Sequence, residues 1–144
     1  IYIGAYSYLN RVEICIADRG QGIYNNQKNN KKYTTLKKKD AILEATKNGV
    51  SGHPNGSPGF GLFCTSEFLK QGKGCLNIWS SGYQLQVTNT RTVIKKCLFE
   101  IGTLISIIIY KTAKIPFSKI LSSPVYGERD ADEYFNEVIN GVFI

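Results

Sequence analysis

Two glycine-bearing stretches of this 144-residue chain hold the residue types best suited to chemistry. The first is Asp18-Arg19-Gly20-Gln21-Gly22, which ends an alternating run at 12–17. Val12, Ile14 and Ile16 fall on one face of a strand, and Asp18 continues their phase. A carboxylate is therefore expected at a strand end, on the face that should be covered, where it needs a partner. Taken alone, the same five residues read as a strand-ending turn, because Asp and Gly are turn formers. The second stretch is 48–74, NGVSGHPNGSPGFGLFCTSEFLKQGKG. Gly49, Gly52, Gly56, Gly59 and Gly61, with Pro54 and Pro58, make a loop that turns helical over 62–71. A glycine loop feeding a helix start suits an anion: the first turn has unpaired N–H groups and the positive end of the macrodipole. The competing reading is a flexible surface loop.

In this order and separation, the two stretches resemble the glycine boxes of the GHKL superfamily of ATP-binding domains. That superfamily includes DNA gyrase, a major heat-shock chaperone, histidine kinases, anti-sigma-factor kinases and mismatch-repair ATPases. Asp18, Gly20 and Gly22 match its first box, Asp-x-Gly-x-Gly. Gly59, Phe60, Gly61 and Leu62 match the second, Gly-x-Gly-Leu opening a helix, and Gly102-Thr103 matches a Gly-Thr entering the last strand. The resemblance covers residues 1–112 and is specific to the superfamily rather than to any member. It implies ATP or ADP as ligand, with Asp18 accepting a hydrogen bond from the adenine amino group and Thr103 holding a bridging water. Gly22 would let the base approach the backbone. Gly59 and Gly61, with the N–H groups of Leu62 and Phe63, would face the phosphates.

The chain also departs from that pattern. The superfamily carries a helix before its first box, with an Asn that binds Mg²⁺ and often a Glu that activates water or the acceptor. Residues 1–17 read instead as two strands, so no catalytic residue is assigned. An ATPase or protein kinase is implied only if such a helix is supplied from upstream, and Mg²⁺ with it. The absence of methionine, even at position 1, reads as a piece of a longer chain. The alternative is a degenerate, non-catalytic module that works through contacts with a protein substrate or regulatory partner.

The elements that must position these residues form an α+β pattern. Residues 1–8 alternate weakly and should pair with the Asp18 strand as a hairpin. A polar, basic loop follows, then a helix over 40–48 with Asp40 as N-cap and Gly49 beyond its end. That helix and the glycine loop after it correspond to the superfamily's mobile lid. Gly72 and Gly74 stop the next helix by taking the left-handed conformation. CLNIWS (75–80), the turn Ser80-Ser81-Gly82, YQLQVT (83–88), TVIKKCLF (92–99) and the β-branched LISIIIY (104–110) are strands and their links. Their spacing predicts a mainly antiparallel sheet with helices on one face, a two-layer sandwich. Residues 113–144 lie outside the resemblance and contain a short helix, acidic in its first turn, as a linker or an edge packing element.

Composition narrows the classes further. The 42% hydrophobic content supports one core, and no apolar run is long enough to span a membrane. The start lacks a secretory signal pattern. Cys15, Cys64, Cys75 and Cys97 show no C-x-x-C pairing, and His53 is the lone histidine, which argues against zinc and for reduced, cytoplasmic thiols. The net charge of +7 is nearly all carried by Lys28, Lys31, Lys32, Lys37, Lys38 and Lys39. Only Tyr24 and Tyr33 accompany them, so the run reads as a solvated loop rather than a nucleic-acid face, with a secondary role near phosphates left open. P-loop, dinucleotide-binding, nucleophile-elbow and HExxH motifs are absent.

Overall fold

Alternating apolar residues become six strands in the computed structural model, which describes residues 1–53 and 59–114. The strands are β1 (Tyr2–Ser7), β2 (Arg11–Asp18), β3 (Cys75–Ser80), β4 (Tyr83–Thr88), β5 (Thr92–Lys96) and β6 (Thr103–Tyr110). They form one sheet in the order β1-β2-β6-β3-β4-β5, and every neighbouring pair is antiparallel. The β-branched run 104–110 is central as expected, between β2 and β3. Among the described residues, three α-helices complete the α+β arrangement: α1 (Gly22–Lys28), α2 (Lys38–Glu44) and α3 (Gly61–Gln71).

Register decides which side chains share a face. Ile16, Ile105, Ile78, Leu85 and Ile94 lie in one row across five strands, and Ile14, Ile107, Leu76 and Val87 lie in the next. Leu76, Ile78 and Leu85 are fully buried against Ile42 of α2 and Leu69 of α3. Each such side chain contributes about 1.5–3 kcal/mol by leaving water. α3 packs on β3, β4 and β6, α2 packs on β4, and α1 packs on α2 and β3. At the β1 edge, Ile3 of the same face remains 72% exposed.

The helix layer departs from expectation in several places. The chain does not turn from Gly22 into a loop: α1 starts there, and a 3₁₀ turn follows at Lys31–Tyr33. Its sequence, GIYNNQK, has too few apolar residues to show a helical period, since mainly Ile23 packs on the core. The next helix spans Lys38–Glu44 rather than 40–48, with Lys37 at the N-cap and Asp40 inside the first turn. A carboxylate in that turn is favoured by the helix dipole without having to cap it. At the end of α3, Gly72 has φ −77° and the left-handed residue is Lys73, at φ 55°. Gly74 is needed for a different reason, because a Cβ there would run into the Ile108 carbonyl of β6. β5 stops at Lys96 rather than running to 99. Beyond Lys96 the chain wraps the β3–β4 turn instead, with Cys97 N–H donating to the Gly82 carbonyl and Gly82 N–H to the Phe99 carbonyl.

The β3–β4 turn itself matches its sequence signal. Ser81 and Gly82 both take positive φ, 56° and 84°, the pattern of a tight hairpin turn. The four cysteines are free; Cys64 is buried and the others are half-buried. Burial is the main cause that pushes the Cys64 and Cys75 thiols above the ordinary thiol range. Among the described residues no helix is long and apolar enough to cross a membrane. The expected C-terminal helix lies outside the described residues.

Candidate functional site

The row beyond Ile16 and Ile105 carries polar residues. Asp18 pairs with Thr103, and Thr103 pairs with Ser80, so three strands bring these side chains into line at one end of the sheet. Asp18 is half-buried on the helix-bearing face, as its phase predicts. Its Oδ1 accepts a hydrogen bond from Gly20 N–H at 2.6 Å, which closes the turn of the first glycine box. Arg19 and Gly20 are exposed, and the chain re-enters the protein at the buried Gly22.

Ser80 joins three parts of the site. Its Oγ accepts from Ile23 N–H at 3.0 Å, tying down the first turn of α1, and donates to the Gly102 carbonyl at 3.0 Å. Gly22 and Gly102 meet beside it with φ of 76° and 78°. A Cβ on Gly22 would come within 2.9 Å of Ser80 Oγ, and one on Gly102 would collide with the Asp18 carbonyl. These two glycines are thus required by the packing of the first box against the Gly-Thr entry to β6. Sequence reasoning treats Ser80 as a turn residue only, since a lone serine at a strand end carries no motif.

The second glycine box closes the other side. A cleft of about 780 Å³ is lined by Asp18, Gly20, Gly22 and Thr103 on the sheet side and by Gly59, Gly61 and Leu62 on the side of α3. Its volume falls within the usual range of small-molecule sites. Seven of the eight candidate residues therefore converge on it; Phe63 points instead into a separate shallow groove with Leu43, Ser66 and Val87. α3 begins at Gly61 with no side-chain cap, and Gly61 is exposed, with open space where a Cβ would stand. Gly59 packs close to the Val50 backbone.

Further cleft residues come from α1 and from the segment after α2. Asn26, Gln27, Ala45, Ser51 and His53 line it without belonging to any motif. Asn26 Nδ2 lies 3.3 Å from His53 Nε2, and Asn30 Nδ2 donates to the Ser51 carbonyl at 3.0 Å, so α1 and the N-cap of the 3₁₀ turn hold one arm of the expected lid. The other arm is anchored by Phe60, which is 3% exposed, and residues 54–58 of the lid lie outside the described residues.

None of the six lysines of 28–39 lines the cleft. Lys38 pairs with Glu100 at 3.0 Å, Lys28 sits over the Tyr24 ring, and Tyr33 is buried and so offers no stacking face. These residues occupy the end of α1, the 3₁₀ turn and the start of α2 rather than one loop. No group of three or more His, Cys, Asp or Glu able to hold a metal ion occurs among the described residues. Comparisons with protein-family models, with curated proteins and with solved structures found no match.

Proposed function

We propose that residues 1–112 form the nucleotide-binding part of a GHKL-type domain and bind ATP or ADP in the cleft between the Asp18 row and the start of α3. The observation that supports this reading is convergence. Residues of three motifs separated along the chain, at 18–22, 59–62 and 102–103, line one cleft. Asp18 uses Oδ1 for its own turn, which leaves Oδ2 to accept from the adenine amino group. Thr103, directly across from it, holds a water between base and protein. The uncapped first turn of α3, with the N–H groups of Leu62 and Phe63, faces the phosphates, and the open space at Gly61 admits them. Phe63 contributes through its backbone alone.

A kinase or ATPase activity on a protein substrate would require a catalytic helix with a Mg²⁺-binding Asn, and the residues before Asp18 form strands β1 and β2 instead. The test is calorimetry with ATP, ADP and adenosine on the 144-residue chain and on Asp18→Asn. Asn keeps an oxygen for the Gly20 N–H but replaces the second acceptor with a donor. A hydrogen bond to a charged group contributes roughly 1.5–3 kcal/mol, so ATP and ADP should both bind about ten- to a hundred-fold more weakly. Absence of ATP binding by the unmodified chain would favour the degenerate module acting through protein contacts. Unchanged affinity in Asp18→Asn would remove Asp18 from the adenine site.

A further inference from the structure

The two edges of the sheet are built differently. β5 carries Lys95 and Lys96, both exposed, and Arg91 stands just before it. Charged side chains on an edge strand keep it from pairing with another chain. β1, the other edge among the described residues, has no such guard. Residues 1–10, IYIGAYSYLN, contain no charged side chain and no proline, in a chain of net charge +7. The pairing of β1 with β2 runs without a bulge from Tyr2 to Ser7. Tyr2, Ile3 and Tyr6 are 70%, 72% and 63% exposed, and the Tyr6 ring leans over Gly4. The turn into β2 fixes which backbone groups face outward. Tyr8 N–H donates to the Arg11 carbonyl at 2.8 Å, so these two residues form a hydrogen-bonded pair. Bonded and non-bonded pairs alternate along an antiparallel ladder. Tyr6, Gly4 and Tyr2 therefore bond to β2, while Ile3, Ala5 and Ser7 turn their N–H and C=O groups out from the sheet.

We infer that this edge pairs with β1 of a second copy, antiparallel about a two-fold axis at Gly4, joining the two six-stranded sheets into one. In that register Ile3 and the partner's Ala5 form a hydrogen-bonded pair, and Tyr2 and the partner's Tyr6 form a closer, non-bonded pair. The axis stands normal to the sheet, so both helix layers lie on one side and the two Asp18 clefts lie far apart. The helices pack toward β3, β4 and β6, which leaves the β1 edge open. Charge and area both favour a second copy as the occupant. Two chains of +7 repel each other, and the uncharged strand lets them touch without opposing like charges. The nearest charges, Arg11 and Glu13, are already paired with each other at 2.8 Å. Ile1, Tyr2, Ile3 and Tyr6 of two copies expose on the order of 1,000 Å², the lower limit for a specific interface. An interface of that size fits a micromolar dimer. Assembly stops at two, because the pairing uses up β1 and the lysines of β5 block the other edge.

The experiment is sedimentation velocity on the 144-residue chain from about 1 to about 500 µM, a range that brackets a micromolar dimer. The average mass should rise from one chain to two and stop there. The measurement is repeated on Ala5→Pro, which removes an outward N–H without touching the ladder to β2, and on Ile3→Lys, which puts a charge on the edge. Both variants should keep the fold by circular dichroism. Ala5→Pro deletes two hydrogen bonds across the axis, so it should weaken dimerisation at least about five-fold. Amide exchange read by NMR tests the register: Ile3 and Ala5 should slow as concentration rises, and the amides of β5 should not. β1 still exchanges faster than β6, because each dissociation exposes it. A one-chain mass at every concentration overturns the inference, as does growth beyond two chains. Unchanged dimerisation in folded Ala5→Pro and Ile3→Lys, or β1 amides indifferent to concentration, overturns it as well. If neither variant folds, the exchange of the unmodified protein decides alone.

Discussion

Gly61 and Gly102 have the same side chain and opposite reasons for it. At Gly102 a Cβ would collide with the Asp18 carbonyl and φ is 78°, so Gly102→Ala should destabilise the fold. The backbone conformation alone costs about 1–3 kcal/mol, and the collision adds to it. A lowered urea midpoint would show this. Apart from its chain neighbours and the backbone of its own helix, no atom of the described residues lies within 4 Å of the Gly61 Cβ position. Gly61→Ala should therefore leave the urea midpoint unchanged or slightly raised, while weakening ATP and ADP more than adenosine, which calorimetry can separate. A uniform loss for all three ligands would instead mean that the change had disturbed the base end. Cys64 makes a different test of residue environment: it is 8% exposed and burial holds its thiol protonated to higher pH than an ordinary cysteine. Its alkylation in the native protein should stay slow through neutral pH and accelerate in urea, read by mass spectrometry of labelled peptides. At this scale the motif residues were legible because Asp and Gly at fixed spacing have few conformational uses. Gln27 and Ser80 were not, since nothing local marks a glutamine that will be buried or a serine that will accept from a residue 57 positions away.

Between elements, the join of α1, β3 and β6 depends on one hydroxyl. Ser80→Ala would leave Ile23 N–H and the Gly102 carbonyl without their shared partner. The expected loss is about 1–3 kcal/mol, the cost of an unsatisfied buried group, seen as a lower urea midpoint with unchanged slope. The stop of α3 offers a change of opposite sign. Lys73 holds φ 55° on an exposed turn, so Lys73→Gly should relieve that strain and stabilise the protein by about 0.5–1 kcal/mol after the added flexibility of the unfolded chain is counted. A fall in thermal midpoint would contradict the left-handed assignment. Strands were read well because period-two alternation is a local property: YQLQVT at 83–88 puts Leu85 and Val87 in the core and Gln84 and Gln86 at half exposure, as its pattern predicts. Helix α1 was missed because its packing comes from contacts with α2 and β3 rather than from an apolar stripe.

For the molecule as a whole, the sheet order makes a gradient of protection. β6 lies between β2 and β3, whereas β1 and β5 are edges, and Tyr2, Ile3 and Tyr6 of β1 are mostly exposed. Amide exchange should be slowest across 104–110 and markedly faster in β1 and β5. Comparable protection in β1 and β6 would contradict the edge position of β1. The antiparallel α+β class, the hairpin of residues 2–18 and the central place of 104–110 were all legible in the chain, because each follows from side-chain period, β-branching and turn chemistry within a few residues. The sequence alone also put Asp18 on the covered face, through its phase with Val12, Ile14 and Ile16. Only the tertiary structure decided that Asp18, Thr103 and Ser80 stand in one row and that Gly61 faces them across a cleft. Those relations are set by which distant strands exchange hydrogen bonds and in what register, and a shift of one residue would have turned every one of these side chains to the opposite face.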